Sequence, residues 1–541
     1  MEQRNLLLAV VLSVGILWIW SALFPAPEEA TVDHTQMVTT DSSSAPSVPS
    51  APRSMPELRA TAEDIASASV AKTSSASGQG DGGNHQRYTV NNDLLRLSMD
   101  ERGWLTDAEL LDYTEGIEPG AANVHVLGEK TLENSTETRA SYVNTGVVNA
   151  RIATPFSRID SSDSKQEARF QAVLDNGMVW QRTLRMTPGS YLVNIEDRIV
   201  EGAGMKMFRQ VVQRNPDKSL NTFYEHIGAT GFLDGELKKV DYDDLDEQKP
   251  VQMAALGGWT AMMDRYFITA LIGDANRSYQ YFYKGDGLSY QSGVLDDGVV
   301  EQGDAIFHST LFIGPKSIPL LKSMDLGLER SVDFGWFAFI AKPMHEFMLW
   351  LYDYVHNFGW AIIILVLSIK LIFFYPTHKA YGSMAGMRKL QPELVRLKDL
   401  HGNDRQRMSQ EMMGLYKKNK VNPMGGCLPI IIQIPVFFAL YKVLLMSIEM
   451  RQAPFVLWIQ DLSVQDPYFI LPVVMGASMF IQQKLNPQPT DPMQAKVLQF
   501  LPPVFTVMFL FFPSGLVLYW VVNNVLSIAQ QWYVMKINKA L

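Results

Sequence analysis

The stretch Ala361–Pro376, AIIILVLSIKLIFFYP, is apolar almost without interruption and predicts a helix inside a membrane. Its one charged residue is Lys370, six positions before Pro376 and about 9 Å from that end at 1.5 Å per residue. A lysine in hydrocarbon costs roughly 2.5–3.5 kcal/mol even on lenient insertion scales. Either its long stem lifts the charge to the interface, or the charge serves a polar site within the membrane.

Six segments in all are predicted to span the membrane. Leu6–Phe24 is uncharged, longer than the 7–15 residues of a signal peptide, and ends among bulky aromatic residues, which favours an uncleaved anchor over residues 1–24. Residues 360–541 form a predicted five-span helical bundle whose spans are Trp360–Tyr375, Cys427–Ile448, Tyr468–Ile481, Val497–Phe512 and Gly515–Tyr533. Several of these spans are short and contain proline, which disfavours a channel with a sealed pore.

The segments between the anchor and the bundle differ in composition. Residues 25–86 are rich in Ala, Ser, Thr, Pro and Gly and predict a flexible linker. Residues 87–325 carry short alternating runs separated by turn sequences such as Asp175-Asn176-Gly177, which predicts an antiparallel β-sandwich. Residues 326–359 mix aromatic and charged residues and predict an amphipathic helix on the membrane surface.

Basic residues in the loops predict the orientation. The segment 377–426 contains ten of them, whereas Glu449–Pro467 contains one arginine beside three acidic residues. The basic segment therefore lies in the cytoplasm together with both termini, and the β domain lies outside. Within it we expect a hairpin of two amphipathic helices, whose apolar face carries Met384, Met387, Met408, Met412 and Met413. This hairpin binds varied partners, anionic lipid or both.

The last predicted span carries polar residues at three- and four-residue spacing, namely Trp520, Asn523, Asn524, Ser527, Gln530 and Gln531. This spacing places them on one helix face, which must meet protein or water because polar groups facing lipid lack partners. Two interpretations stand: bonds between helices, or a hydrated groove that also contains Lys370 and Gln433. The groove is favoured because the stripe accompanies a lysine within the membrane. Lys442, in the second bundle span, is expected to reach outward.

No pattern typical of an enzyme is found. The sandwich contains no metal-ligand spacing, phosphate-binding glycine loop or nucleophile elbow, and the single cysteine, Cys427, excludes an intrachain disulfide. The net charge of −9 is unevenly distributed, so it indicates little about partners. We therefore predict no catalytic activity, no cofactor and no metal, and no direct reading of nucleic acid.

Five segments resemble the Oxa-type membrane protein insertase family: QRNLLL at residues 3–8, SQEMMGLYKKNKVNPMGGCLPIIIQIPVF at 409–437, EMRQAPFVLWIQDLSVQDPYFILP at 449–472, TDPMQAKV at 490–497 and FPSGLVLYWVVNN at 512–524. The resemblance implies a multi-domain membrane protein with a periplasmic β-supersandwich, similar to sugar-mutarotase folds but without sugar chemistry. It also implies an insertase bundle whose hydrophilic groove opens to cytoplasm and lipid, and places substrate contacts at Ile434, Phe437, Tyr519 and Trp520. Lys370 occupies a position where arginine is usual in the family. Lysine keeps the positive charge but lacks the planar guanidinium and its fork of N–H donors.

The resemblance implies a chaperone and insertase of the cell inner membrane. Its partners would be nascent membrane proteins, the Sec translocon with its accessory subunits, the ribosome in transient contact, and anionic lipids. The tail after Tyr533 is short, so it does not predict ribosome binding through a long basic extension. Two alternatives remain: a secondary transporter, which would require paired acids and an inverted repeat, and an anchored periplasmic carbohydrate-binding protein.

Overall fold

The chain has 541 residues, and the computed structural model describes residues 86–541 except 132–137, 161–165, 219–225, 248–249, 402–403, 420, 423–427, 488–491 and 540–541. The predicted anchor, residues 1–24, and the predicted linker up to residue 85 lie outside the described residues.

The first half of the described chain is a β domain. Its strands are β1 (Arg87–Asn91), β2 (Leu95–Asp100), β3 (Leu105–Thr114), β4 (Asn123–Thr131), β5 (Thr138–Val147), β6 (Ile152–Arg158), β7 (Glu167–Leu174), β8 (Val179–Met186), β9 (Leu192–Ile199), β10 (Met207–Arg214), β11 (Gly228–Leu233), β12 (Glu236–Val240), β13 (Val251–Leu256), β14 (Trp259–Met263), β15 (Phe267–Ile272), β16 (Ser278–Gly285), β17 (Ser289–Asp296), β18 (Val299–Glu301) and β19 (Asp304–Pro315). Two short helices, α1 (Tyr242–Asp246) and α2 (Ile318–Ser323), accompany them.

The strands form two antiparallel sheets. Sheet 1 has the order β1-β2-β3-β4-β5-β10-β17-β16-β13, and sheet 2 has the order β12-β11-β14-β15-β19-β9-β8-β7-β6, with β18 paired to β19. The predicted sandwich is confirmed by this pairing. Its meander follows from local turn chemistry: Gly177 and Gly189 take φ values of 85° and 70°, which glycine adopts at no steric cost, and they separate β7, β8 and β9.

A buried ion cluster joins the two sheets. Asp197 on β9 is fully buried and accepts hydrogen bonds from Trp180 Nε1 and Arg182 Nε, both at 2.7 Å, and from Arg209 on β10 of sheet 1. Burial alone raises the pKa of the Asp197 carboxyl, but the Arg182 and Arg209 guanidiniums hold it below its ordinary value. The cluster therefore places two cations and one anion inside the core, where each depends on the others.

The second half of the described chain is helical. Its helices are α3 (Ala338–Val355), α4 (Phe358–Ile372), α5 (Phe374–Lys389), α6 (Gln391–His401), α7 (Arg405–Lys418), α8 (Leu428–Met446), α9 (Ile470–Leu485), α10 (Pro492–Phe509) and α11 (Ser514–Ile537). Trp336, Phe339 and Tyr354, in and just before α3, are exposed, as an amphipathic helix on a membrane requires. Within the described residues no individual helix is both long and apolar enough to cross a membrane, although α4 and α5 meet the same length and composition criteria as a pair bent by 69°.

The first predicted bundle span is not straight. Trp360–Tyr375 was expected as one helix, but α4 ends at Ile372 and α5 begins at Phe374 after the bend. Pro376 lies in the first turn of α5, where its missing N–H costs nothing. Lys370 consequently stands in the last turn of α4, two residues from its end, rather than a turn and a half inside a longer helix.

Candidate functional site

Lys370 is held against the last helix. Its half-buried ammonium donates a hydrogen bond to Ser527 Oγ on α11 at 2.7 Å, and Ser527 Oγ in turn donates to the Asn523 carbonyl at 2.7 Å. The C-terminal turn of a helix also carries the negative end of the helix dipole, which favours a cation there. We name Lys370, Asn523 and Ser527 the lysine cluster.

The lysine cluster retains spare hydrogen-bonding capacity. An ammonium has three donors, and the hydrogen bond to Ser527 occupies one of them. Asn523 Oδ1 is buried and has no hydrogen-bond partner among the described residues. A buried amide oxygen without a partner costs about 1–3 kcal/mol, so this face of α11 favours water or a polar guest.

The predicted polar stripe divides between two neighbours. Asn524 faces α9, where its Nδ2 donates to Ser478 Oγ at 2.9 Å, and Gln531 Nε2 donates to Asn486 Oδ1 at 2.9 Å. Gln530 turns to α5 and bonds Thr377 Oγ1 at 3.0 Å. In this structure Asn524 and Gln531 therefore bond neighbouring elements, whereas Ser527 contacts the lysine. Asn523 lies one turn before Ser527 on the same side of α11. The single continuous groove face stays a prediction.

Gln433 belongs to a neighbouring polar contact. Its Nε2 donates to the Tyr519 hydroxyl at 2.6 Å, which joins α8 to α11. Tyr519 is only 1% exposed, so in this structure it holds Gln433 and presents no surface to a substrate. Its expected role as a direct substrate contact stays a prediction.

The other expected contact residues lie at an aromatic surface. Ile434 is 38% exposed, and Phe437 packs edge to face against Trp520 with ring centroids 4.9 Å apart. Phe505 and Phe509 of α10 extend this cluster to Trp520, at 6.3 and 5.2 Å. Neither these phenylalanines nor Ser478 and Thr377 could be identified from the sequence, because an apolar or small residue inside a span carries no signal of its neighbour on another helix.

The five predicted hairpin methionines are divided between two helices. Met384 and Met387 lie on α5, and Met384 is buried against Val534 of α11. Met384 therefore does not contribute to an exposed hairpin face, contrary to the expectation. Met408, Met412 and Met413 lie on α7, where Met413 is exposed and lines a shallow pocket with Gln410 and Lys417.

Fold and site together define a helical bundle embedded in a membrane and an extramembrane β-sandwich. The bundle contains the polar, positively charged lysine cluster. Family models match both parts: "YidC periplasmic domain" covers residues 87–347 and "60Kd inner membrane protein" covers residues 350–540. The chain belongs to the YidC membrane protein insertase family. The β domain is accordingly the family's periplasmic domain, and the chain is a protein of the inner membrane.

Several relatives share the name "Membrane protein insertase YidC". One from Magnetococcus marinus is 42% identical over 82% of this chain and 83% of its own length, and one from Marinobacter nauticus is 37% identical over 99% and 98%. A solved structure, "Active YidC insertase crystal structure with the first transmembrane domain resolved", aligns with a TM-score of 0.38 at 20% identity, over 83% of this chain and 92% of that one.

Proposed function

We propose that this protein inserts nascent membrane proteins into the inner membrane from the cytoplasmic side. The lysine cluster attracts the polar, often acidic, part of the client that is to be exported. The apolar part leaves sideways into lipid past Ile434, Phe437 and Trp520. The family membership supports the activity, and the hydrogen bond between Lys370 and Ser527 is the observation on which the mechanism rests.

The lysine cluster supplies attraction without any covalent chemistry. A carboxylate 4 Å from the ammonium gains about 4 kcal/mol at an effective dielectric constant of 20, enough to offset much of the cost of bringing a charged segment into the membrane. Burial of the client's apolar surface then contributes roughly 25 cal/mol per Å². The membrane potential adds about 2.3 kcal/mol per charge per 100 mV. Among the described residues no group of metal-ligand side chains is assembled, and the proposal uses no cofactor.

We further propose a membrane topology and a set of partners. Six spans place both termini in the cytoplasm, with the hairpin of residues 377–426 receiving the nascent chain there. The protein acts alone or beside the Sec translocon and its accessory subunits. It contacts the ribosome transiently, and the basic residues of the hairpin bind anionic lipid.

The test changes the charge of Lys370 and compares two clients that differ only in an acidic or neutral exported segment. We expect Lys370→Arg to insert both clients, Lys370→Ala to lower insertion of the acidic client about tenfold, and Lys370→Glu to lower it further because like charges repel. Insertion is scored by protease protection in inverted vesicles. Equal insertion of the acidic client by all three variants would remove the charge from the mechanism.

Two matched serine variants test whether the hydrogen bond from Lys370 to Ser527 contributes to insertion. Ser527→Ala removes the acceptor for Lys370, whereas Ser368→Ala on α4 removes a hydroxyl that bonds only its own helix, at the Ile364 carbonyl. We expect insertion of the acidic client to fall about threefold to tenfold for Ser527→Ala and to stay unchanged for Ser368→Ala. A similar decrease for both variants would indicate general loss of stability instead.

A further inference from the structure

A short, buried loop connects the outer end of α8 to the β domain. The helix ends at Met446, and one residue later the turn Ile448–Met450 begins and leads into Arg451 and Gln452. Ser447, Ile448 and Met450 are all buried, so this connection is packed on every side. A displacement of the β domain therefore acts directly on the end of α8.

The first joint between the two parts lies at the end of strand β3. Gln452 Nε2 donates to the carbonyls of Thr114 at 2.8 Å and Gly116 at 3.1 Å. Arg451 Nη2 donates to the Thr114 carbonyl at 2.5 Å. Two side chains of the loop after α8 thus hold one turn of the β domain by its backbone, which leaves little freedom of orientation.

A second joint is formed by Glu449. Its Oε1 accepts a hydrogen bond at 3.0 Å from Ser317 Oγ, which follows the last strand of the β domain. Its Oε2 lies 3.8 Å from Nε2 of His345, a buried residue of α3. Glu449 therefore connects the end of α8 with both the β domain and the surface helix.

Further contacts lie along α8 itself. The Phe438 ring stacks on Phe337 just before α3, with centroids 5.7 Å apart and planes within 9°. Asp333 pairs with Lys239 of β12 at 2.6 Å. Burial alone raises the pKa of the Asp333 carboxyl, but Lys239, the Gly335 N–H and the Lys442 ammonium of α8 together bring it below its ordinary value.

The inner half of α8 has a different environment. Ile431 and Ile434 are exposed, whereas Ala439, Leu440 and Val443 in the outer half are completely buried. Pro435 lies between the halves and has no N–H for the carbonyl of Ile431, so the helix is weakest at this point.

We infer that the periplasmic β domain is a brace: it fixes the outer half of α8, and Pro435 is the hinge about which the inner half, with Gln433 and Ile434, moves. The inference rests on the proposed function only in assigning this movement to the passage of a client. The brace itself is a property of the protein without a client.

Hydrogen exchange of the full-length protein in lipid nanodiscs tests the brace. Residues 438–446 should exchange slowly and residues 429–434 at least about tenfold faster in the unaltered protein. The double variant Arg451→Ala, Gln452→Ala should accelerate exchange at 438–446 at least about tenfold. Gln460→Ala, which removes an exposed amide of the same loop that bonds only the Leu457 carbonyl, should leave it unchanged. Unaltered protection at 438–446 in the double variant overturns the brace.

The hinge has its own variant. Pro435→Ala restores the missing donor, and exchange at 429–434 should slow about threefold to tenfold while 438–446 stays unchanged. Equal exchange rates in the two halves of the unaltered helix, or no slowing in Pro435→Ala, overturns the hinge. Neither measurement involves a client, so failure of the insertion assay with these exchange patterns intact would contradict the proposed function and leave the brace in place.

Discussion

Asp197 keeps its charge inside the β domain because two guanidiniums and an indole N–H surround it. Replacing it by asparagine leaves Arg182 and Arg209 buried without a counter-ion. We expect Asp197→Asn to lower the free energy of unfolding of the β domain by about 3–5 kcal/mol, the usual cost of breaking a buried ion pair from one side. Pulse proteolysis of the full-length protein across a urea series measures the change.

A surface pair provides the matched control for Asp197. Glu236 pairs with Lys238 at 2.7 Å, and its side chain is largely exposed. Because exposed pairs contribute little, Glu236→Gln should leave the free energy of unfolding nearly unchanged. If Asp197→Asn lowers the free energy of unfolding no more than Glu236→Gln does, the buried ion cluster does not hold the two sheets together.

The same cluster gives a pH dependence with a defined sign. The pKa of Asp197 is lower in the folded protein than its ordinary value of 3.8, so its contribution is complete at neutral pH. It is lost as the pH falls below about 4 and through the folded pKa, because the unfolded state then binds the proton first. The stability difference between the unaltered protein and Asp197→Asn should therefore narrow on acidification. A constant difference from pH 7 to pH 3 would contradict this.

At the scale of elements, α9 and α10 approach closely at a glycine. A Cβ built on Gly476 would lie 1.9 Å from Thr506 Oγ1, and that hydroxyl already donates to the Pro502 carbonyl at 2.8 Å. Small residues permit such approaches between membrane helices. Gly476→Ala should therefore cost about 1–3 kcal/mol, measured as a lower Tm in detergent.

The chain offers both a control and a rescue for Gly476. Gly382 of α5 has no atom within 4 Å of an added Cβ, so Gly382→Ala should stabilise its helix by up to about 1 kcal/mol through propensity alone. Thr506→Ala removes the clashing hydroxyl and should restore much of the Tm lost in Gly476→Ala. If Gly476→Ala behaves like Gly382→Ala, the close approach of the two helices is wrong.

Elements with local signals were the ones predictable from sequence. The turns at Gly177 and Gly189 specify their hairpins within four or five residues, so β7, β8 and β9 followed directly. The bend at Phe373 has no turn sequence of this kind: residues 371–374 are all apolar, and Pro376 is placed in the first turn of α5, where it does not by itself specify a bend. The packing of α5 against α8 and α11, far along the chain, has no local signal. Periodicity also could not predict that Asn523 and Asn524 have different surroundings. They differ by 100° around one helix, and tertiary packing decides which neighbouring helix each of them meets.

At the scale of the whole molecule, charge and contacts lead to the same orientation. The loop from Ser447 to Phe469 touches the β domain through Arg451 and Gln452, so the two must lie on one side of the membrane. The excess of Lys and Arg in helices α6 and α7 is typical of cytoplasmic loops, so we expect these helices on the other side. In this proposed orientation α8 crosses the membrane between them.

Cysteine labelling tests this orientation directly, because replacing Cys427, the only cysteine of the sequence, by serine gives a clean background. In this background Gln460→Cys and Ser409→Cys place single thiols at exposed positions of the loop and of α7. A membrane-impermeant maleimide added to cells with a permeabilised outer membrane should label Gln460→Cys fully and Ser409→Cys only after lysis. Lysis should leave the Gln460→Cys signal unchanged, which controls for thiol reactivity. Labelling of both thiols before lysis, or of Ser409→Cys alone, would place α7 outside and reverse the side from which the lysine cluster receives its client.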